Sequence, residues 1–242
     1  MEPKNSESRF SPLVIALHWL TFYGAIKLSN ASVAVTCIAL APAFTSVIEP
    51  WLTRRPFSWR ELLFGIAVLP GVALVVGGVP ADMRLGIAVG ALSALFVALF
   101  GSLNKRMVEH GDALTVTALE LGAGALTLTL LAPLMPAIFP AFAGDLFVMP
   151  STSDALYLLA LAMACTLLPF TLSLVALRHM NAFAAQMAVN MEPVYAILLA
   201  IVLLGEQHEL GGLFYAGVAL ILAGVFAHPL LVRRICQQLG TG

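Results

Sequence analysis

The residues of this sequence that could do chemistry sit where charge is expensive. Glu192 and Pro193 lie side by side near the middle of an apolar stretch from Ala182 to Gly205, AFAAQMAVNMEPVYAILLAIVLLG, long enough to cross a hydrocarbon core of about 30 Å. A carboxylate at the bilayer centre costs on the order of 3 kcal/mol, so it faces a bundle interior or a wet cavity. Pro193 has no amide hydrogen for the Val189 carbonyl four residues back, and the freed oxygen needs another partner. Transporter binding sites are commonly built from helices opened in this way. Glu192 could bind a proton or a cation, or it could cap the broken helix. Gln186 and Asn190 are four apart and share a helix face, while Glu192 is about 200° further round from Asn190. One set therefore faces a solute path and the other a neighbouring helix. Tyr195 follows on the same segment as a further candidate.

A second constellation lies near the start of the chain. Trp19, Tyr23 and Lys27 recur every four residues, with His18 beside them. Aromatic rings and one cation along an inner wall suit a zwitterionic or aromatic solute. The same stripe could be an interface belt, a reading that fits Lys27 best because its chain can snorkel to the headgroups. Glu120, eight residues beyond Asp112 and so about two turns deep, needs a partner whether it is structural or on the solute path. Glu49 reads as a surface-level pair for Arg54 or Arg55. Asn104 and Lys105 read as the polar end of their span, Gly86, Gly90 and Ala94 as a small-residue packing stripe, and Pro169 as a kink.

The elements that must position these residues are membrane spans. Of 242 residues, 60% are hydrophobic and 10% charged, and the mean hydropathy of +0.97 is that of an integral membrane protein. Apolar windows bounded by charges, Pro or Gly fall at residues 12–28, 31–53, 60–79, 84–104, 113–139, 154–177, 182–204 and 210–231, predicting eight spans. The run after Lys4 and Arg9 is read as the first span and not as a signal peptide, since Glu2 and Glu7 cancel the basic charge. Eight crossings put both termini on one side. That side would hold Lys4, Arg9, Arg54, Arg55, Arg60, Lys105, Arg106, Arg178, Arg233 and Arg234, against Lys27 and Arg84 on the other, so the positive-inside rule makes it cytoplasmic. Asn30-Ala31-Ser32 matches a glycosylation sequon but lies too close to the membrane to be a good acceptor. Cys37, Cys165 and Cys236 are too scattered for a disulfide framework or a metal site. Hydrolase, zinc-protease and nucleotide-binding motifs are absent, as is a basic nucleic-acid surface, so neither an enzyme nor a cofactor is expected.

The sequence also repeats itself. Laying Lys27 over Arg178, an offset of 151, matches Asn30 with Asn181, Ala31 with Ala182, Ala34 with Ala185, Pro42 with Pro193 and Phe44 with Tyr195. The two copies cross the membrane in opposite senses, which predicts an inverted repeat. Ala41 stands where the second copy has Glu192, so one half alone carries the acidic residue. Spans four and five would have no counterparts upstream, and the expectation is that two helices of the pattern are missing.

The segment NMEPVYAILLAIVLLGE followed by LGGLFYAGVALILAGV resembles the C-terminal half of an EamA-type domain, the building block of the drug/metabolite transporter superfamily. ALHWLTFYGAIKLSNASVAV and APAFTSVIEPWLTRRPFSWRELLFGIAVLPGVALVV are similar to the corresponding part of a first such domain. The resemblance implies ten helices in two inverted sets of five, a central cavity and cytoplasmic termini. Residues 12–79 would then be an incomplete first repeat of three spans, 84–231 a second repeat of five, and 1–11 and 232–242 cytoplasmic tails. The expectation is an all-α polytopic protein of the inner or plasma membrane, exporting an amino acid or related metabolite by alternating access. Its partners would be the lipid bilayer, a small-molecule substrate, a proton or cation coupled to transport, and an oligomer mate or partner chain completing the bundle. The rival readings are a truncated, assembly-dependent or inactive relative, and a membrane-embedded enzyme with Glu192 and His18 as acid and base.

Overall fold

The computed structural model describes residues 11–108, 112–139, 148–189, 191–205, 208 and 210–224, and among them helix is the only regular structure. The helices are α1 (Ser11–Leu28), α2 (Ala31–Ile38), α3 (Ala41–Thr53), α4 (Trp59–Ala67), α5 (Leu69–Gly78), α6 (Arg84–Met107), α7 (Ala113–Leu131), α8 (Met135–Ile138), α9 (Thr152–Ala162), α10 (Leu168–Leu177), α11 (Ala182–Val189) and α12 (Glu192–Leu204). A further apolar helix, α13, occupies Gly212–Gly224. Six stretches of the described chain are long and apolar enough to cross a membrane: Ser11–Leu28, Ala31–Thr53, Trp59–Gly78, Ala81–Met107, Ala113–Ala137 and Thr152–Leu177. The chain is a multi-pass membrane protein. Two of the predicted eight segments, around α12 and α13, are shorter apolar helices here.

Local chemistry sets the helix boundaries. Asn30 caps α2 by accepting the Val33 amide at 3.0 Å, and its side chain is buried in that role. Asn181 does the same for α11, accepting the Ala184 amide at 2.8 Å. Asp112 caps α7, where the Thr115 amide and then its hydroxyl hold the carboxyl below the usual carboxylate range. Pro42 and Pro193 each stand in the first turn of α3 and α12, where a missing amide hydrogen costs nothing. Arg54 after α3 and Gly205 after α12 are the two described residues with left-handed backbone, at φ 57° and 71°. The bounds of α2 and α3, moved by 151 residues, fall on those of α11 and α12. Pro169 does more than kink its span: a π-turn over Met163–Leu167 precedes it, and Thr166 Oγ1 donates to the Leu161 carbonyl at 2.8 Å.

The central element is α6, which lies against α1, α2 and α3 on one side and α10 and α11 on another. Small residues permit that approach. A Cβ at Gly86 would lie 2.7 Å from Ser29 Cβ, and one at Gly90 would lie 2.8 Å from Cys37 Cβ, while Ala94 is fully buried among Ile38, Leu40 and Ala41. A second close seam joins α5 to α13. There a Cβ on Gly217 would meet the Gly71 carbonyl oxygen at 2.5 Å, and the Gly211 amide donates to the Gly78 carbonyl at 3.1 Å. Around this seam Val33, Cys37, Val75, Ile197, Phe214 and Ile221 form the largest apolar core.

Glu49 departs from its expected surface position. It is fully buried, and its carboxylate accepts the backbone amides of Ala182 at 2.8 Å and Phe183 at 2.9 Å, the first two residues of α11. Arg55 does pair with it, at 3.3 Å, and also with Glu61, which accepts a hydrogen bond from the Asn181 amide at 3.2 Å. Partial burial works against the Arg55 charge, but Glu61 and Glu49 outweigh it and hold the guanidinium above its ordinary value. The spacing to Arg54 and Arg55 could suggest a local pair; only the packing of α3 on α11 puts free helix amides over the same carboxylate.

Candidate functional site

Four helices line a partly open cavity of about 180 Å³. Ile15, His18 and Trp19 come from α1; Val97, Phe100, Gly101 and Asn104 from α6; Phe170, Ser173, Leu174 and Leu177 from α10; and Ala182, Ala185, Gln186 and Val189 from α11. The lining is apolar and aromatic, with a few convergent polar groups, the usual make-up of a small-molecule site. Phe100 and Phe170 meet with ring centroids 5.5 Å apart.

His18 and Asn104 are held by their neighbours, while Gln186 keeps an open acceptor. His18 Nδ1 is 3.1 Å from the Ser93 carbonyl and 2.9 Å from Ser93 Oγ, while that hydroxyl also reaches the His18 carbonyl at 3.2 Å. With Nδ1 donating to the Ser93 carbonyl, Nε2 is left as an acceptor. The Gln186 side chain exists where it does because residue 101 is glycine: a Cβ there would lie 2.8 Å from Gln186 Nε2. Gln186 Oε1 is buried without a hydrogen-bond partner, the condition of an acceptor that a solute donor would satisfy. Asn104 belongs to this lining and is only 2% exposed, and not to a polar span end as its place in the sequence suggested. Behind it Ser11 Oγ donates to Glu120 Oε1 at 2.5 Å and reaches Asn104 Oδ1 at 3.4 Å.

Of the candidates read from sequence, the cavity takes in His18, Trp19 and Gln186, and Glu120 lies buried one side chain behind it. Tyr23 and Tyr195 are 45% and 63% exposed and stand outside the lining. Glu192 is also exposed and outside it, in the first turn of α12, where a carboxylate complements the helix dipole. Pro193 occupies that same turn. Asn190 and Glu206 fall outside the described residues, as do Cys236 and both tails. An enzyme using Glu192 and His18 together would need both on one substrate, and the cavity lining contains only the second. Sequence reasoning passed over Ser93, Gly101 and Ser173 and read Asn104 as a span end; small or polar residues inside otherwise apolar spans were the available signal.

The same end of the bundle gathers the basic segments. Lys105 Nζ donates to the Leu177 carbonyl at 2.8 Å, and Arg106 to the Leu52 carbonyl at 3.3 Å, which brings residues 52–55, 105–106 and 177–178 together.

A model of the EamA-like transporter family matches residues 84–228. Among curated proteins the sequence finds no match. A solved structure titled "Crystal structure of protein" is similar with a TM-score of 0.67 at 18% identity, over 97% of this chain and 79% of its own. At that identity the likeness speaks for the helical fold alone.

Proposed function

Since the chain belongs to the EamA-like transporter family, we propose that it is a secondary transporter moving a small organic metabolite, an amino acid or a relative of one, out of the cell by alternating access. The observation that carries this reading is the partly open cavity between α1, α6, α10 and α11, with aromatic walls and a buried, unpartnered Gln186 oxygen. Cells expressing the protein should release a metabolite that accumulates in cells without it. Gln186→Ala and Trp19→Ala should each cut that release about tenfold or more, the equivalent of one lost hydrogen bond or ring contact of roughly 1.4 kcal/mol. Wild-type export from both variants would overturn the assignment of the cavity.

The reading includes an inverted repeat, residues 12–79 against 84–231. The coincident bounds of α2–α3 and α11–α12, with matching Asn caps and left-handed ends, support it. It also includes two further helices, from upstream sequence, a partner chain or a second copy. The uneven cover favours that: 28% of the Ser11–Leu28 span is buried but only 6% of its proposed counterpart Thr152–Leu177. In the proposed orientation the basic end faces the cytoplasm of a plasma membrane. Cysteines introduced at Arg54, Lys105 and Arg178 should resist a membrane-impermeant thiol reagent in intact cells and react once the membrane is opened. Labelling of the Arg54 position from outside would defeat this topology.

A further inference from the structure

Among the described residues the cavity lining holds no carboxylate, yet one lies directly behind it. Glu120 on α7 is 4% exposed; Ser11 Oγ donates to its Oε1 at 2.5 Å and also lies 3.4 Å from Asn104 Oδ1. Its other oxygen, Oε2, is buried with no hydrogen-bond partner. The charged groups on the elements packed against α7 are directed elsewhere. On α1, His18 is held at Ser93, and Lys27 stands at the far end of the helix. On α6, Lys105 goes to the Leu177 carbonyl and Arg106 to the Leu52 carbonyl, and Arg84 begins the helix at its opposite end. Within α10 there is no charged residue; Arg178 beyond it faces Asp112, the cap of α7 itself. An uncompensated buried carboxylate is costly, whereas a proton on the carboxyl removes the charge.

We propose that Glu120 is a proton-binding site of this protein and that Asn104 reports its protonation state to the cavity. Ser11 Oγ stands between the carboxyl and Asn104 Oδ1 and can donate to either, and Asn104 lines the cavity. Ionised Glu120 takes the Ser11 hydroxyl proton in a hydrogen bond at Oε1, which leaves Asn104 Oδ1 for the cavity. When a proton joins Oε1, the new O–H donates to Ser11 Oγ, and the serine hydroxyl turns its own proton to Asn104 Oδ1. One proton is taken up, the only covalent bond formed is the carboxyl O–H, and the hydrogen bonds through Ser11 reverse direction. In the ionised state the lining offers two carbonyl oxygens, Asn104 Oδ1 and Gln186 Oε1, which suit a solute bearing an ammonium or amide N–H; protonation withdraws one of them. A proton arriving at Glu120 therefore weakens the hold on such a solute. This last step rests on the transporter reading, but the proton site does not.

The test needs no substrate. In purified protein in nanodiscs, infrared difference spectra between acid and alkaline buffer should contain a protonated-carboxyl band that disappears in Glu120→Gln and survives in Glu192→Gln. With Trp51→Phe and Trp59→Phe, both at exposed positions, Trp19 is the remaining tryptophan, and its emission should step with pH at the same midpoint. That step should vanish in Glu120→Gln and shrink in Asn104→Leu. If Glu120→Gln does not accumulate, Ser11→Ala, which removes one hydrogen bond to the same carboxyl, should shift the midpoint. A band and a Trp19 step that persist in Glu120→Gln, or a midpoint unmoved by Ser11→Ala, overturn the proposal. A titrating Glu120 in a protein that exports nothing would refute the transporter reading and leave the proton site standing.

Discussion

Glu49→Ala should be the most destabilising single substitution in the described bundle, by roughly 3–5 kcal/mol, the usual cost of removing one partner from a buried ion pair. Two effects add. The first two amides of α11 lose a charged acceptor in a place water does not reach, and Arg55 keeps only Glu61. Because the Arg55 side chain is 23% exposed, water recovers part of the lost pairing, which favours the lower end of the range. A stability of about 5–15 kcal/mol is typical of folded domains, so even 3 kcal/mol is a large fraction. Thermal unfolding in detergent should show a clear drop in melting temperature. Glu49→Gln, which keeps one acceptor for one amide, should fall between the wild type and Glu49→Ala. A wild-type melting profile for Glu49→Ala would mean that the helix end is held by something other than this carboxylate.

Gly78→Leu should have a comparable effect through sterics alone. A Cβ at this position would fall onto the Phe214 amide nitrogen and within 2.9 Å of the Leu213 carbonyl carbon, so the obstruction is backbone, which cannot rotate away. Overpacking a core typically costs about 1–3 kcal/mol, and here the Gly211 to Gly78 hydrogen bond is lost as well when α13 moves off. Gly122→Leu is the control, since nothing lies within 4 Å of a Cβ there. The expected result is poor accumulation and early unfolding for the Gly78 variant and near-normal behaviour for the Gly122 variant. Equal stability of the two would show that the α5–α13 seam is not close-packed.

The sequence by itself determined the segments and their breaks, because those depend on local quantities. Hydrocarbon thickness sets how long an apolar run must be, and proline, asparagine and glycine act on their own backbone. Hence six of the eight predicted spans return as stretches long and apolar enough to cross a membrane, with shorter apolar helices at the last two, and the bounds of α2 and α3 match those of α11 and α12 at an offset of 151. The small stripe at Gly86, Gly90 and Ala94 was legible for the same reason, since a missing side chain is visible without knowing what fills its place. Rotation of each helix about its axis was not legible. In a bundle where lipid and protein interior are both apolar, hydrophobicity does not mark the inward face, and polar residues can satisfy themselves on either side. Tertiary packing alone therefore turned Glu49 onto the amides of α11, brought Asn104 into the cavity with Glu120 behind it, and left Glu192 on an exposed turn of α12.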